Sequence, residues 1–398
     1  MILQSEIEAS VLEQKQLLQQ ANVGLERGVL PEMSLLSDYV TIITGIRRCG
    51  KSTLMHQLME GLNEEFAYFN FEDPRVFGFD VNDFVKLENV FGNQQVYFFD
   101  EIQNIENWEL FVRKLHDQGK TVCITGSNAS LLSKELGTRL TGRHLQKELF
   151  PFDYDEFCAY LEMEQDIESL DRYLELGGFP SYLKNGQLVY LQQLFRDILY
   201  RDIIVRHGVR NAKIIEGIAL YLISNVGKEF SLNGIKKTFD VGSANSVADY
   251  VAWFEDSYLL FTLPRFSWSL KSIAVNPKKV YTIDTGFAQA NSLSFSEDKG
   301  RLFENMIYLK LRREGKELYY FREKGECDFV VKEQQQVTTL IQACYELHPD
   351  NLQRELNGLK EAMDFFGLDH GTIVTRNQND EFMLDGKKIS AVSADRWL

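Results

Sequence analysis

The sequence predicts an α/β fold built on a parallel sheet, and three stretches predict it. A β-branched run, Val40 to Ile43, enters a glycine turn and leaves as a helix with Leu54, Leu58 and Leu62 on one face. A second apolar run, Val96 to Phe99, ends in the adjacent acids Asp100 and Glu101. A third, "TVCITGSN", ends in the polar residues Thr125, Ser127 and Asn128. Short, continuously apolar strands separated by amphipathic helices are the pattern of a parallel sheet covered on both faces.

The turn after the first strand carries the most specific signal. Gly45-Ile46-Arg47-Arg48-Cys49-Gly50-Lys51-Ser52, followed by Thr53, matches G-x-x-x-x-G-K-[ST] at every fixed position. Glycines at both ends let backbone N–H groups wrap a phosphate at a helix N-terminus. This predicts a P-loop NTPase core that takes ATP and Mg²⁺, with Lys51 on the β- and γ-phosphates and Ser52 on the metal.

Asp100 and Glu101 supply the second half of such a site. Ligands of open α/β sheets bind at the C-terminal edge of the strands. There Asp100 is expected to hold Mg²⁺ and Glu101 to orient and polarise the attacking water. In ATPases with this acid pair, a strand inserted between the two motif strands carries a polar sensor of the γ-phosphate. Ser127 is the candidate, with Thr125 and Asn128 as alternatives and a helix cap before "ASLLSKEL" as the plainer reading. Farther on, "RLTGRHLQKELFPF" sets Arg139 and Arg143 around a small turn before the last core strand. Arg143 is the candidate for completing the transition-state charge, in cis or from a neighbouring subunit; Arg139 reads as a surface ion pair.

Bulk composition narrows the classes. With 398 residues, 44% hydrophobic and 25% charged, the chain has the makings of two or three globular domains. No apolar run spans a bilayer and no signal peptide is visible, so a cytoplasmic protein without membrane partners is expected. Five scattered cysteines with no C-x-x-C pairing argue for reduced thiols rather than zinc or disulfides. A net charge of −15 argues against a general nucleic-acid coat while leaving room for a local basic patch.

"GIRRCGKSTL", "FFDEIQ", "ITGSNASLLSKELGTRLTGR", "LFPFDYDEF" and "GGFPSYL" follow in one order and resemble the AAA+-superfamily ATPases of bacteria and archaea that carry an uncharacterised C-terminal domain. "KKVYTIDTGFA", "GRLFENMIYLKLRR" and "ECDFVV" are similar to that C-terminal domain. The resemblance implies an AAA+-type core followed by a helical lid. The expected organisation is an N-terminal helical segment (1–37), the ATPase core (38–154), a lid (155–210), a winged-helix-like module (211–285) and a C-terminal endonuclease-like α/β domain (286–398). "GGFPSYLKNG" reads as a break between lid helices, and the basic run Arg196 to Lys213 as a solvated helix face or a phosphate contact.

Residues 214 to 264 read helix, turn, helix, turn, helix, strand, the order of a winged helix-turn-helix, with Ser231 and Ser243 as N-caps. Its reading helix contains Asp249, Glu255 and Asp256 but no lysine or arginine, whereas the wing carries Arg265, Lys271, Lys278 and Lys279. It reads equally as a DNA reader or a protein-contact element. In the last domain the resemblance implies a helix Glu304, a strand Asp328 and Gln342 in the layout of restriction-endonuclease-like folds, which bind Mg²⁺ with two acids and an [E/Q]-x-K. The lysine of that motif falls at Cys344, so a degenerate second metal site is expected. Three functions follow: an ATPase that moves a bound protein or nucleic acid, as a possible homo-oligomer; an ATP-gated nuclease; or a low-turnover ATP-binding switch.

Overall fold

The computed structural model describes residues 2–128, 142–293 and 298–398. The expected helix "ASLLSKEL" and Arg139 lie outside the described residues. The chain forms two compact units, residues 1–150 with 256–258, and residues 151–255 with 259–398. Among the described residues no helix is long and apolar enough to cross a membrane.

The first unit is built on five parallel strands: β1 (Val40–Thr44), β2 (Phe66–Asn70), β3 (Val96–Asp100), β4 (Thr121–Gly126) and β5 (His144–Glu148), in the order β2-β3-β4-β1-β5. β1 and β3 are buried along their whole length, which their unbroken apolar runs anticipate. β4 lies between them, as the reading of an inserted strand requires. Helices α2 (Lys51–Glu60), α3 (Phe84–Phe91) and α4 (Trp108–Asp117) alternate with the strands in the chain. Phenylalanines fill one face of the sheet, with Phe84 and Phe111 stacked at 4.2 Å between ring centroids.

Helix α1 (Gln4–Gln20) is part of this unit rather than a separate segment. Ile7 is buried in the same core. The Gln14 side chain pairs with the backbone of Asn70, accepting its N–H at 2.8 Å and donating to its carbonyl at 3.2 Å. A surface helix thereby fixes the C-terminal end of β2.

The second unit opens with helices Tyr154–Leu161 and Ile167–Leu176. "GGFPSYLKNG" is not a plain break: Pro180–Asn185 form a short helix started by Pro180. Helix Leu188–Asp197 continues as a π-helical stretch, Ile198–Val205. Then come helix Ala212–Ile223, β6 (Glu229–Phe230), helix Leu232–Thr238, helix Ala244–Asp256, β7 (Leu260–Pro264), helix Leu270–Val275 and β8 (Lys278–Thr282). β6, β8 and β7 form a small antiparallel sheet in that order. Ser231 and Ser243 accept the N–H groups of Gly234 and Ser246. The sequence hid β6, because two residues carry no readable period, and hid helix Leu270–Val275.

After helix Lys299–Arg313 comes a six-stranded mixed sheet: β9 (Glu317–Arg322), β10 (Glu326–Glu333), β11 (Gln336–Cys344), β12 (His370–Thr375), β13 (Asp380–Leu384) and β14 (Lys387–Ser393), ordered β13-β14-β12-β11-β10-β9. β9 to β11 are antiparallel; β11, β12 and β14 run parallel. Helix Pro349–Phe366 packs on this sheet through Leu356, Leu359 and Met363.

The motifs "GGFP" and "IDTGFA" explain each other. Asp284, fully enclosed, accepts the Phe287 N–H at 2.8 Å as a helix N-cap and the Gly178 N–H at 2.6 Å. Gly177 has φ +68°, and a Cβ there would lie 2.1 Å from the Asp284 carboxylate. Burial raises the Asp284 pKa to about 6, against the pull of the N–H groups it accepts and of Arg313. A carboxyl raised above its unfolded value stabilises most below about pH 4, and that contribution disappears as pH rises through about 6. The deficit of Asp284→Ala relative to wild type, read by denaturant unfolding, is therefore expected to be larger at pH 4 than at pH 7, by about 2 kcal/mol.

Candidate nucleotide site

The loop between β1 and α2 is shaped by backbone. Gly45 has φ +149°, and a Cβ there would fall 2.1 Å from the Leu149 carbonyl oxygen. Only glycine permits that approach. Gly50, at φ +103°, is the N-cap of α2, and no side chain caps this helix. Its first-turn N–H groups and its dipole thus face the loop without a carboxylate or hydroxyl cap. Ile46 and Cys49 are buried, and the Cys49 thiol donates to the Leu149 carbonyl at 3.4 Å. Burial raises the Cys49 pKa, so this thiol serves as a small packed group. Arg47 pairs with Glu72 at 2.7 Å, and Arg48 takes the left-handed conformation at φ +66°. Thr53 follows on the first turn of α2.

Lys51 is 4% exposed, and its ammonium donates to the carbonyls of Gly45 and Ile46, each at 3.2 Å. It also pairs with Glu101 at 3.3 Å. Burial acts against the lysine charge, but Glu101, Cys49 and Asp100 outweigh it and hold the pKa above the usual value. Burial likewise acts against the Glu101 charge, and Lys51 and Arg47 outweigh it, leaving that carboxyl below its usual range. Both partners are therefore charged at neutral pH.

Asp100 has no exposed surface. Burial, helped by the Glu101 charge, raises its pKa, while hydrogen bonds from Thr125 and Ser52 and the nearby Lys51 pull it down. The Thr125 hydroxyl donates to Asp100 Oδ1 at 2.5 Å and accepts the Glu101 N–H at 2.9 Å. One side chain of β4 thus ties both acids at the end of β3 in place. Asn70, at the end of β2, reaches Asp100 Oδ2 at 3.4 Å. Glu101 itself is left-handed, at φ +52°, which turns its side chain away from the strand direction.

Ser127 and Asn128 are buried at the end of β4. Gln103 links Ser127 to Glu101: its Nε2 donates to Glu101 Oε2 and lies 3.3 Å from Ser127 Oγ. Among the described residues, Gln103 Oε1 is buried without a hydrogen-bond partner. Arg27 clamps the loop from outside the motif. It is 3% exposed and donates to the carbonyls of Cys49 and Phe150, each at 2.9 Å. Gln57 on α2 holds the same segment through the carbonyls of Val23 and Leu25 and the N–H of Arg27. Gln103 stands two residues after Glu101 in a motif the sequence displays; Arg27 and Gln57 give no spacing signal.

Arg143 is the exception among the expected residues. β5 pairs in parallel with β1 in the register Val40 to His144, so Arg143 precedes the strand at the N-terminal edge of the sheet. The phosphate loop lies at the opposite edge, about 16 Å away for a five-residue strand. Arg143 instead pairs with Asp117 at 3.1 Å and is 55% exposed. A cis role at the loop is ruled out by this register.

The donor set suits a phosphate-bound metal rather than a protein cage. Among the described residues no three His, Cys, Asp or Glu side chains are grouped to hold a metal ion. Mg²⁺ is typically bound by one or two protein groups with phosphate oxygens and waters completing the octahedron. Ser52 and Asp100, already in contact, supply that minimum.

In the second unit, Glu304 lies on helix Lys299–Arg313, Asp328 on β10 and Gln342 on β11. Gln342 Oε1 accepts the Asp328 N–H at 3.2 Å and its Nε2 donates to Glu355 at 2.8 Å. Cys344 stands where the motif lysine would be, and burial pushes its thiol up to about 12.

Comparison with known proteins agrees with this geometry. Residues 37–158 match the family described as AAA domain, and residues 167–298 match a domain of unknown function (DUF8612). A Methanocaldococcus jannaschii protein, uncharacterized protein MJ1544, is 34% identical over 378 residues, covering 88% of this chain and 84% of that protein. An uncharacterized protein of Haemophilus influenzae is 27% identical over 386 residues, covering 91% and 94%. Among solved structures, the Thermotoga maritima RuvB Holliday junction branch migration motor aligns with 65% of this chain and 94% of its own, at 14% identity and a TM-score of 0.29. The chain belongs to the family of MJ1544, and its residues 37–158 form an AAA-type, nucleotide-binding domain.

Proposed function

We propose that the chain hydrolyses ATP to ADP and phosphate in a Mg²⁺-dependent reaction and couples nucleotide state to a bound partner. The observation that carries this reading is the meeting of Lys51, Ser52, Asp100 and Glu101 at one sheet edge beside the uncapped start of α2. Loop amides from Gly45 to Thr53 would cradle the phosphates and Lys51 would move from its carbonyl partners to the β- and γ-oxygens. Ser52 and Asp100 would hold Mg²⁺, which when bound neutralises charge on the phosphate oxygens. Glu101, released from Lys51, orients the attacking water. Gln103 carries the position of Glu101 to Ser127, the proposed reporter of the γ-phosphate. Arg143, exposed at the far edge, remains available only to a neighbouring copy.

The element order from Ala212 to Thr282 supports a winged-helix-like module, and helices Tyr154–Leu161 to Leu188–Asp197 support a lid. A specific observation favours a protein partner over DNA. The wing exposes Trp268, Leu270 and Val275, at 72%, 84% and 72%, while Lys279 is buried. Apolar side chains displayed together fit a protein surface better than a phosphate backbone. The competing reading, DNA binding, requires an affinity that falls steeply with salt. Duplex DNA binding by gel shift between 50 and 200 mM salt, roughly the range over which phosphate contacts are lost, is expected to be absent.

Glu101→Gln is expected to slow phosphate release by about 10²-fold or more. Because the variant no longer neutralises Lys51, its ATP affinity should hold or rise. Equal, slow phosphate release by both proteins, with ATP bound by both, would leave only the low-turnover switch. Thr125→Val removes the bridge between the two acids and is expected to reduce turnover about tenfold, with Thr125→Ser restoring most of it. Steady-state kinetics with a nucleotide-binding control measures both effects.

A further inference from the structure

The second acidic centre lacks the motif lysine, yet it contains a lysine. Lys279, on β8, is 2% exposed and places its ammonium 2.9 Å from Glu304 Oε1, 2.7 Å from Glu326 Oε1 and 2.7 Å from Asp328 Oδ1. An ammonium has three N–H donors. Each has a carboxylate acceptor here, so none is left to stabilise a hydroxide or a phosphorane. The surrounding polar contacts are also committed. The Tyr281 hydroxyl donates to Glu304 Oε1 at 2.6 Å, Asp328 Oδ2 accepts the Ala343 N–H at 3.0 Å, and Arg322 forms an ion pair with Glu326 Oε2 at 3.6 Å.

The three carboxylates come from a helix and a strand and converge on one ammonium, and with that ammonium in place they are not grouped to hold a metal ion. That cation belongs to the chain. We propose that Lys279 takes the place of a divalent ion in this centre, so that the Glu304, Glu326 and Asp328 cluster is a metal-independent joint between β8 and the C-terminal sheet, and a latent cation site rather than a hydrolytic one. Burial raises the Glu304 pKa, the Lys279 ammonium opposing it, as expected where one positive charge faces more than one acid.

The geometry explains why the lysine excludes the metal. Oxygens 2.7 to 2.9 Å from a nitrogen are at ammonium hydrogen-bond distance. Mn²⁺ or Ca²⁺ draws oxygens to roughly 2.2–2.6 Å and needs the same point in space. The two occupants are mutually exclusive. Cys344 and Gln342 cannot restore the hydrolytic chemistry, one because it is a protonated thiol and the other because its amide is held by Asp328 and Glu355.

The test is calorimetric titration of Mn²⁺ into the full chain without nucleotide, in four forms: wild type, Asp328→Asn, Lys279→Ala and Lys279→Ala with Asp328→Asn. Wild type and Asp328→Asn are expected to take up the same amount of Mn²⁺. Lys279→Ala is expected to gain one ion per chain, lost again in the double variant. A folded Lys279→Ala that gains no ion overturns the proposal. So does wild type that holds an ion missing from Asp328→Asn, and this arm decides alone if Lys279→Ala does not fold. If Lys279→Ala folds only when Mn²⁺ is supplied, the ion has replaced the ammonium and the proposal stands. Wild type with Mg²⁺ or Mn²⁺ should leave supercoiled plasmid intact, and nicking abolished by Asp328→Asn would equally overturn it.

Discussion

The first unit turns on the contact between the Lys51 ammonium and the Glu101 carboxylate. Both groups are nearly enclosed, and each keeps the other charged against the cost of burial. The carbonyls of Gly45 and Ile46 complete the lysine's partners. The same arrangement ties the loop to the start of α2 and holds the acid away from water. A triphosphate entering the loop would compete for the ammonium and free the carboxylate, so binding and activation share one contact in the proposed reaction. An enzyme built this way keeps its base masked until its substrate is present.

The sheet order gives that contact its accuracy. β4 lies between β1 and β3, so its Thr125 can reach both acids at the end of β3 while β1 delivers the loop on the other side. Side chains outside the motifs carry the support further out: Gln14 fixes Asn70, Asn70 reaches Asp100, and Arg27 pins the backbone at Cys49. Groups on rigid elements, each held by a second hydrogen bond, are what precise positioning of a reacting water demands.

Much of this was legible in the sequence because the decisive features are local. The glycine spacing, the apolar run into Asp100-Glu101 and the polar end of "TVCITGSN" each lie within a few residues, where period and composition speak directly. The supports are not local. Thr125 was visible as one of three polar residues, but its link to both acids depends on strand order. For Arg143, proximity to a glycine turn says nothing about which edge of a parallel sheet the turn occupies, and the register of β5 leaves only the alternative of a role from a neighbouring copy. The cysteine at position 344, where the [E/Q]-x-K pattern has a lysine, is visible in the sequence. That Lys279, some fifty residues upstream of Asp328, fills the same centre required the fold.

The two acidic centres of the chain differ in one respect. In the first, the lysine's other acceptors are loop carbonyls, and only one carboxylate must release it; in the second, three carboxylates hold the lysine. The first is therefore poised to exchange its partner for a ligand. Calorimetric titration of ATP with magnesium into wild type and Lys51→Ala tests that claim most directly. The account predicts saturable binding by wild type and binding weakened by about 10²-fold or lost in the variant. Equal heats from the two proteins would contradict it.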